Sequence, residues 1–182
     1  MTDLSQFDPD ELGLPCKFAK FRPCQIEAIE TILDSEKRFV ALALPTGSGK
    51  SLCALGAATA SRKRTVILTA TKGLQDQYLE TAPDLVTDIR GKANYLCLDK
   101  KNLSCRFGMH EGCRCVGGKG CAYETARDLA RKAPIVVPNY AYWIRAAQAN
   151  RMNLDTQAQT GLEPSDGSAP VELLVLDEAH AA

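Results

Sequence analysis

Residues 44–51, Leu44-Pro45-Thr46-Gly47-Ser48-Gly49-Lys50-Ser51, constrain the fold more than any other stretch of the chain. They lie between an apolar run, 38–44 (RFVALAL), and an Ala- and Leu-rich stretch, 50–61. The run reads as a strand buried on both faces, as in parallel sheets, and the stretch as the helix that follows it. Gly47 and Gly49 permit backbone conformations that turn successive N–H groups inward, and the start of the helix adds its positive end. That combination cradles phosphate. Lys50 then reaches the β- and γ-phosphates of a nucleotide, and the Ser51 hydroxyl is a ligand for Mg²⁺. The general pattern has glycine at the first position, where this chain has Leu44.

Strand and helix signals alternate along the rest of the chain. A helix is expected from Arg22, with Pro23 in its first turn and Ile26, Ile29 and Leu33 on one face. Strands are expected at 65–69, 135–137 and 173–176, and helices at 73–80, 122–132 and 141–149. This order predicts an α/β fold around a mostly parallel sheet. Residues 1–20 read as an extended lead-in, and 150–169 as a polar, flexible insertion. The last strand runs into Asp177-Glu178-Ala179-His180. Acids at the carboxyl end of a parallel strand sit at the crevice where such sheets bind ligands. Asp177 is expected to hold Mg²⁺, Glu178 to polarise an attacking water, and His180 to couple nucleotide state to bound nucleic acid.

Formal net charge is zero, so nothing global points to a polyanionic partner. Between Asp88 and Lys132, however, ten Lys/Arg stand against five Asp/Glu. This segment also holds Cys97, Cys105, Cys113, Cys115 and Cys121, five of the eight cysteines. It is rich in glycine, and a structureless loop of that length needs something to order it. No run of 18 apolar residues occurs and the first residues lack a signal-peptide pattern, so a reducing compartment, cytoplasmic, is expected. Clustered thiols in that setting read as metal ligands, for zinc or an iron–sulfur cluster. Cys16, Cys24 and Cys53 read as structural. His110 is a further candidate ligand or an exposed loop residue.

The phosphate loop and Asp177-Glu178-Ala179-His180 resemble motifs I and II of superfamily 2 helicases of the DEAH type, which implies a RecA-like motor domain using ATP and Mg²⁺. Phe21-Arg22-Pro23-Cys24-Gln25 resembles the Q-motif, which implies that Arg22 and Gln25 lie at the nucleotide, with Gln25 on the adenine edge. The implied nucleotide contacts continue through Thr46, Gly47, Ser48, Gly49, Lys50 and Ser51. Residues 69–77 (TATKGLQDQ) resemble motif Ia, which contacts the nucleic-acid backbone. The segments 91–97 (GKANYLC), 121–127 (CAYETAR) and 138–143 (PNYAYW) resemble the surroundings of the [4Fe-4S] cluster in the XPD/DinG group. That resemblance implies cluster ligation by Cys97, Cys105 and Cys121, with Cys113 or Cys115 as the fourth ligand. It also implies 5′→3′ movement on single-stranded or forked DNA by a monomer without a membrane partner.

The implied organisation is a lead-in at 1–20, motor domain at 21–90, iron–sulfur insertion at 91–132 and motor domain again at 133–182. Two residues follow His180, so the expectation is a motor domain incomplete at its C-terminus, with weak nucleotide binding and no unwinding by this chain alone. Two other readings stand beside the helicase. One is a metal-stabilised nucleic-acid-binding module with a vestigial nucleotide site. The other is a different kind of P-loop nucleotidase, which the Q-motif and motif Ia resemblances disfavour.

Overall fold

A computed structural model describes residues 8–115, 120–148 and 170–179. His180, Lys119 and the expected insertion at 150–169 lie outside the described residues. Four strands form one parallel sheet: β1 (Thr65–Leu68), β2 (Val86–Ile89), β3 (Ile135–Pro138) and β4 (Leu173–Leu176), in the order β2-β3-β1-β4. The helices are α1 (Pro23–Asp34), α2 (Lys50–Ser61), α3 (Lys72–Thr81), α4 (Cys105–His110), α5 (Ala122–Lys132) and α6 (Tyr140–Gln148). The α/β expectation therefore holds. No helix among the described residues is long and apolar enough to cross a membrane.

The sheet has two packed faces because its strands alternate. Ile67, Val86, Ile135 and Val137 join Ile29, Leu55 and Tyr78 in one cluster, under α1, α2 and α3. Val66, Leu68, Ile89 and Val136 join Tyr123, Ala130, Tyr142 and Cys105 in the other, on the side of α5 and α6. Continuous apolar strands such as TVIL and IVVP are what such a doubly covered sheet requires, and all four residues of each are buried. Each large aliphatic side chain fully buried there is worth about 1.5–3 kcal/mol.

Local signals explain most boundaries. Pro23 opens α1, and the Gln25 side chain caps it by accepting from the Arg22 N–H at 2.9 Å. The Thr71 hydroxyl caps α3 by accepting from the Leu74 N–H at 3.2 Å. α5 covers residues 122–132 as its periodicity predicts, with Arg131 and Lys132 in its last turn.

Several expectations are corrected. Residues 38–44 form no strand, and Phe39 is 82% exposed. Burial of such a run needs a neighbouring strand and cover on both faces. Among the described residues no strand lies beyond β4, and only Leu44 of the run packs on the core. β4 is for the same reason half-buried rather than buried: Leu174 and Leu176, in register with Val66 and Leu68, are exposed at the sheet edge. β2 and α4 carry no sequence expectation. β2 (VTDI) is too short and polar to read as a strand alone, and β3 supplies its register from Val86↔Ile135 to Ile89↔Pro138. The lead-in is not simply extended: residues 9–13 turn, and Leu14 is buried in the core. Cys53 is buried, but Cys16 and Cys24 are exposed and do not serve the core.

One polar group is held inside the core. Gln75 is fully buried, and its Nε2 donates to Val137 O at 2.8 Å and Ile89 O at 3.3 Å, while its Oε1 accepts from Asn139 Nδ2 at 3.1 Å. Asn139 in turn accepts from the Tyr142 N–H at 2.8 Å and so starts α6. Gln75→Leu is expected to lower unfolding free energy by about 2 kcal/mol, because it strands the amide of Asn139 and two carbonyls in the core. Urea unfolding measures this, and an unchanged midpoint would contradict it.

Candidate functional site

The loop 44–51 sits at the carboxyl ends of the strands, ahead of α2. Gly47 and Gly49 have φ of 79° and 85°, the left-handed region that the sequence reading requires of them. Gly49 is also required by space, since a Cβ there would lie 2.4 Å from Gln25 Nε2. Two side chains hold the loop from behind. Gln25 Nε2 donates to Ser48 O at 2.8 Å, and Arg22 Nη1 donates to Gly47 O at 3.0 Å. The Ser48 N–H closes the turn by donating to Pro45 O at 3.2 Å, and the first N–H groups of α2 have no acceptor within the helix. Ser48 is buried and its Oγ has no hydrogen-bond partner among the described residues. Thr46 is exposed.

The acids at the end of β4 come to the same place. Parallel pairing sets Leu176 opposite Leu68, and the Asp177 N–H donates to Leu68 O at 2.9 Å. Asp177 is buried, Glu178 half-buried. Glu178 Oε1 stands 3.6 Å from Lys50 Nζ, so lysine and glutamate form an ion pair across the mouth of the loop. Glu178 has φ of 54°, a left-handed conformation uncommon for a residue with a side chain. Such strain collects at functional sites.

Tyr78 and Tyr140, which the sequence reading did not single out, both touch Asp177. The Tyr78 phenol donates to Asp177 Oδ2 at 2.9 Å, and the Tyr140 phenol donates to Asp177 O at 3.1 Å. Ser51 lies near the Tyr78 phenol and pulls its titration down, the smaller influence on it. Burial, then the neighbouring Asp177 charge, push the Tyr78 phenol far above its ordinary range, so it stays a neutral donor. The one available signal was the spacing of Gln75 and Tyr78, i and i+3 on one helix face, with a polar atom on each that burial obliges to find a partner.

Cys97, Cys105, Cys113, Cys115 and Cys121 all line one small cavity that opens to solvent. Cys97 and Cys113 share a hydrogen bond between their sulfurs at 3.3 Å. The Cys113 sulfur accepts from the Cys115 N–H at 3.3 Å, and the Cys97 sulfur from the Lys100 N–H at 3.3 Å. The Lys100 N–H is the main reason that the Cys97 thiol titrates below its ordinary value. Cys113 ends at about 11: the Cys115 N–H pulls it down, and burial with the thiols of Cys97 and Cys115 more than reverses that. Cys105 is raised by burial, and its thiol donates to Leu96 O at 3.4 Å. Among the described residues no three His, Cys, Asp or Glu are gathered so as to hold a single metal ion. His110 is exposed and away from the cavity lining.

Among the described residues, four of the segment's ten basic residues are held in ion pairs. Arg90 bonds to Asp76 and Asp88, Arg127 to Glu124, and Arg131 Nη1 lies 3.5 Å from Asp128. Arg114 closes on Asp99 with Nη2 and Nε at 2.7 and 3.0 Å and with its N–H at 3.1 Å, a clamp that ties the start of the cysteine segment to Cys113 and Cys115. Lys101 and Arg106 are exposed and Lys100 half-exposed. Gly108 lets α4 approach Cys97: a Cβ there would lie 2.6 Å from the Cys97 sulfur and 2.9 Å from its Cβ. Gly108→Ala is therefore expected to cost about 1–3 kcal/mol through overpacking. It is also expected to quicken modification of the cavity thiols by a disulfide reagent. Unchanged melting and thiol kinetics would contradict the packing described.

The family described as type III restriction enzyme, res subunit, matches residues 18–182, and the chain belongs to it. The sheet and loop are accordingly those of a RecA-like, helicase superfamily 2-like domain, an ATP-dependent nucleic-acid motor domain that uses ATP and Mg²⁺. No curated protein and no solved structure matches the chain.

Proposed function

We propose, from the resemblance of its motifs and cysteine segment, that the chain is the ATP-binding half of a DNA helicase of the iron–sulfur (XPD/DinG) branch, moving 5′→3′ on single-stranded or forked DNA in the cytoplasm. The observation that carries this reading is the meeting of Lys50, Ser51, Asp177 and Glu178 at one end of the parallel sheet. In this reading the N–H groups of 47–51 and Lys50 take the β- and γ-phosphates, and Ser51 and Asp177 hold Mg²⁺. Glu178 leaves Lys50 for the attacking water as the lysine turns to phosphate. Gln25 and Arg22 act from behind the loop and on the base, and His180 links the site to the nucleic acid. Motor domain occupies 21–90 and 133–182, and the cysteine insertion 91–132.

The donor set of the insertion fits a [4Fe-4S] cluster held by Cys97, Cys105, Cys121 and either Cys113 or Cys115. Four irons at alternate corners of a cube need thiolates placed around a volume, not around a point. Five cysteines lining one cavity support that reading. The cluster supplies a covalent core to a segment whose Leu96, Leu98 and Phe107 are exposed.

Two measurements test the reading. Lys50→Ala is expected to weaken Mg²⁺-ATP binding by about 30-fold or more, the ~2 kcal/mol that losing a close charge partner costs at least. Equal affinity for both proteins would overturn the nucleotide site. Protein purified without air is expected to contain about four irons and matching sulfide per chain. Stoichiometric zinc without iron would overturn the cluster and leave the nucleotide site standing.

A further inference from the structure

Tyr78 is the largest fully buried side chain in the molecule as described, and it ends in a hydroxyl. Its phenol lies between two groups from distant parts of the chain, Ser51 at the start of α2 and Asp177 at the end of β4. A phenol has one proton, and this one goes to Asp177 Oδ2 at 2.9 Å. Asp177, with Oδ2 satisfied inside the core, keeps Oδ1 as the atom on which a cation can draw.

We propose that Tyr78 is the positioning residue of the magnesium site, setting the Asp177 carboxylate before nucleotide arrives. This rests on the reading of Ser51 and Asp177 as magnesium ligands given above. A side chain serving only to fill the core would need no hydroxyl, and leucine or phenylalanine would meet the same apolar neighbours without a buried polar atom to satisfy. The phenol instead holds the carboxylate at the end of β4 from within the core. The helix that carries Tyr78 is capped by Thr71, in the segment expected to touch the nucleic-acid backbone, so a shift of α3 would be felt at Asp177.

The test uses Tyr78→Phe, which removes a single oxygen, with Mn²⁺ as the probe ion. Mn²⁺ affinity of the protein–ATP complex, read by electron paramagnetic resonance, is expected to fall about 10-fold, in line with loss of a hydrogen bond to a charged group. ATP affinity in EDTA is expected to stay as in the wild type. Unchanged Mn²⁺ affinity would overturn the proposal. So would an equal fall in both affinities, since that marks a packing defect. If Tyr78→Phe does not fold, the same titration is made with 3-fluorotyrosine at position 78, which keeps the ring and alters the acidity of its hydroxyl. A shifted Mn²⁺ affinity supports the proposal and an unshifted one overturns it. Wild-type protein that binds no ATP with Mn²⁺ would instead overturn the site reading itself, and this proposal with it.

Discussion

Parallel pairing of β1 with β4, in register from Thr65↔Leu173 to Leu68↔Leu176, is the interaction on which the site depends. It starts where Arg64 N–H donates to Glu172, 108 residues away in sequence, and ends where Asp177 N–H donates to Leu68 O. A slip of one residue would turn Leu174 and Leu176 to the other face and carry Asp177 away from Tyr78 and the phosphate loop. Chain order and sheet order thus differ for a functional reason. Parallel strands need crossovers, and the crossover from β3 to β4 delivers the acids to the end of the sheet where Lys50 of the loop meets Glu178.

Two kinds of order coexist in the molecule. The motor part rests on aliphatic burial, with Ile29, Leu55, Ile67, Val136 and Val137 fully inside. The cysteine segment has few such residues. It is held by the Asp99–Arg114 clamp, by short backbone bonds such as Cys105 N–H to Tyr95 O at 2.7 Å, and by the edge contact of Tyr95 with Tyr123. These give shape but little apolar burial, which is why its thiols carry the question of what else stabilises it. Tyr123 and Tyr142, bonded at 3.3 Å in the core beneath, join that segment to α6 and, through Asn139 and Gln75, to the helix beside the nucleotide site.

Much of this was legible in the residues. Gly47, Gly49, Lys50 and Ser51 announce their conformation because a tight anion cradle restricts residue type, and α5 announces itself through periodicity. The apolar run 38–44 reads as a strand and forms none, because a strand needs a pairing partner that no local pattern encodes. β2 was not legible because VTDI gains its stability from β3 rather than from its own residues. Gln25 was read as an adenine contact through resemblance. Its bond to Ser48 O adds a structural duty that only the folded chain displays. Tyr78 was invisible for a different reason: an aromatic residue on a helix reads as core, and its hydroxyl becomes informative only once Asp177 stands beside it.

The central claim is that the loop 44–51 and the acids after β4 form one site for nucleotide and magnesium. A crystal structure of the chain with Mg²⁺ and a non-hydrolysable ATP analogue tests it most directly. The account predicts the β- and γ-phosphates on the N–H groups of residues 47–51, Lys50 drawn from Glu178 onto phosphate, and the metal between Ser51 and Asp177. Phosphates bound elsewhere, or a metal that ignores both side chains, would contradict it.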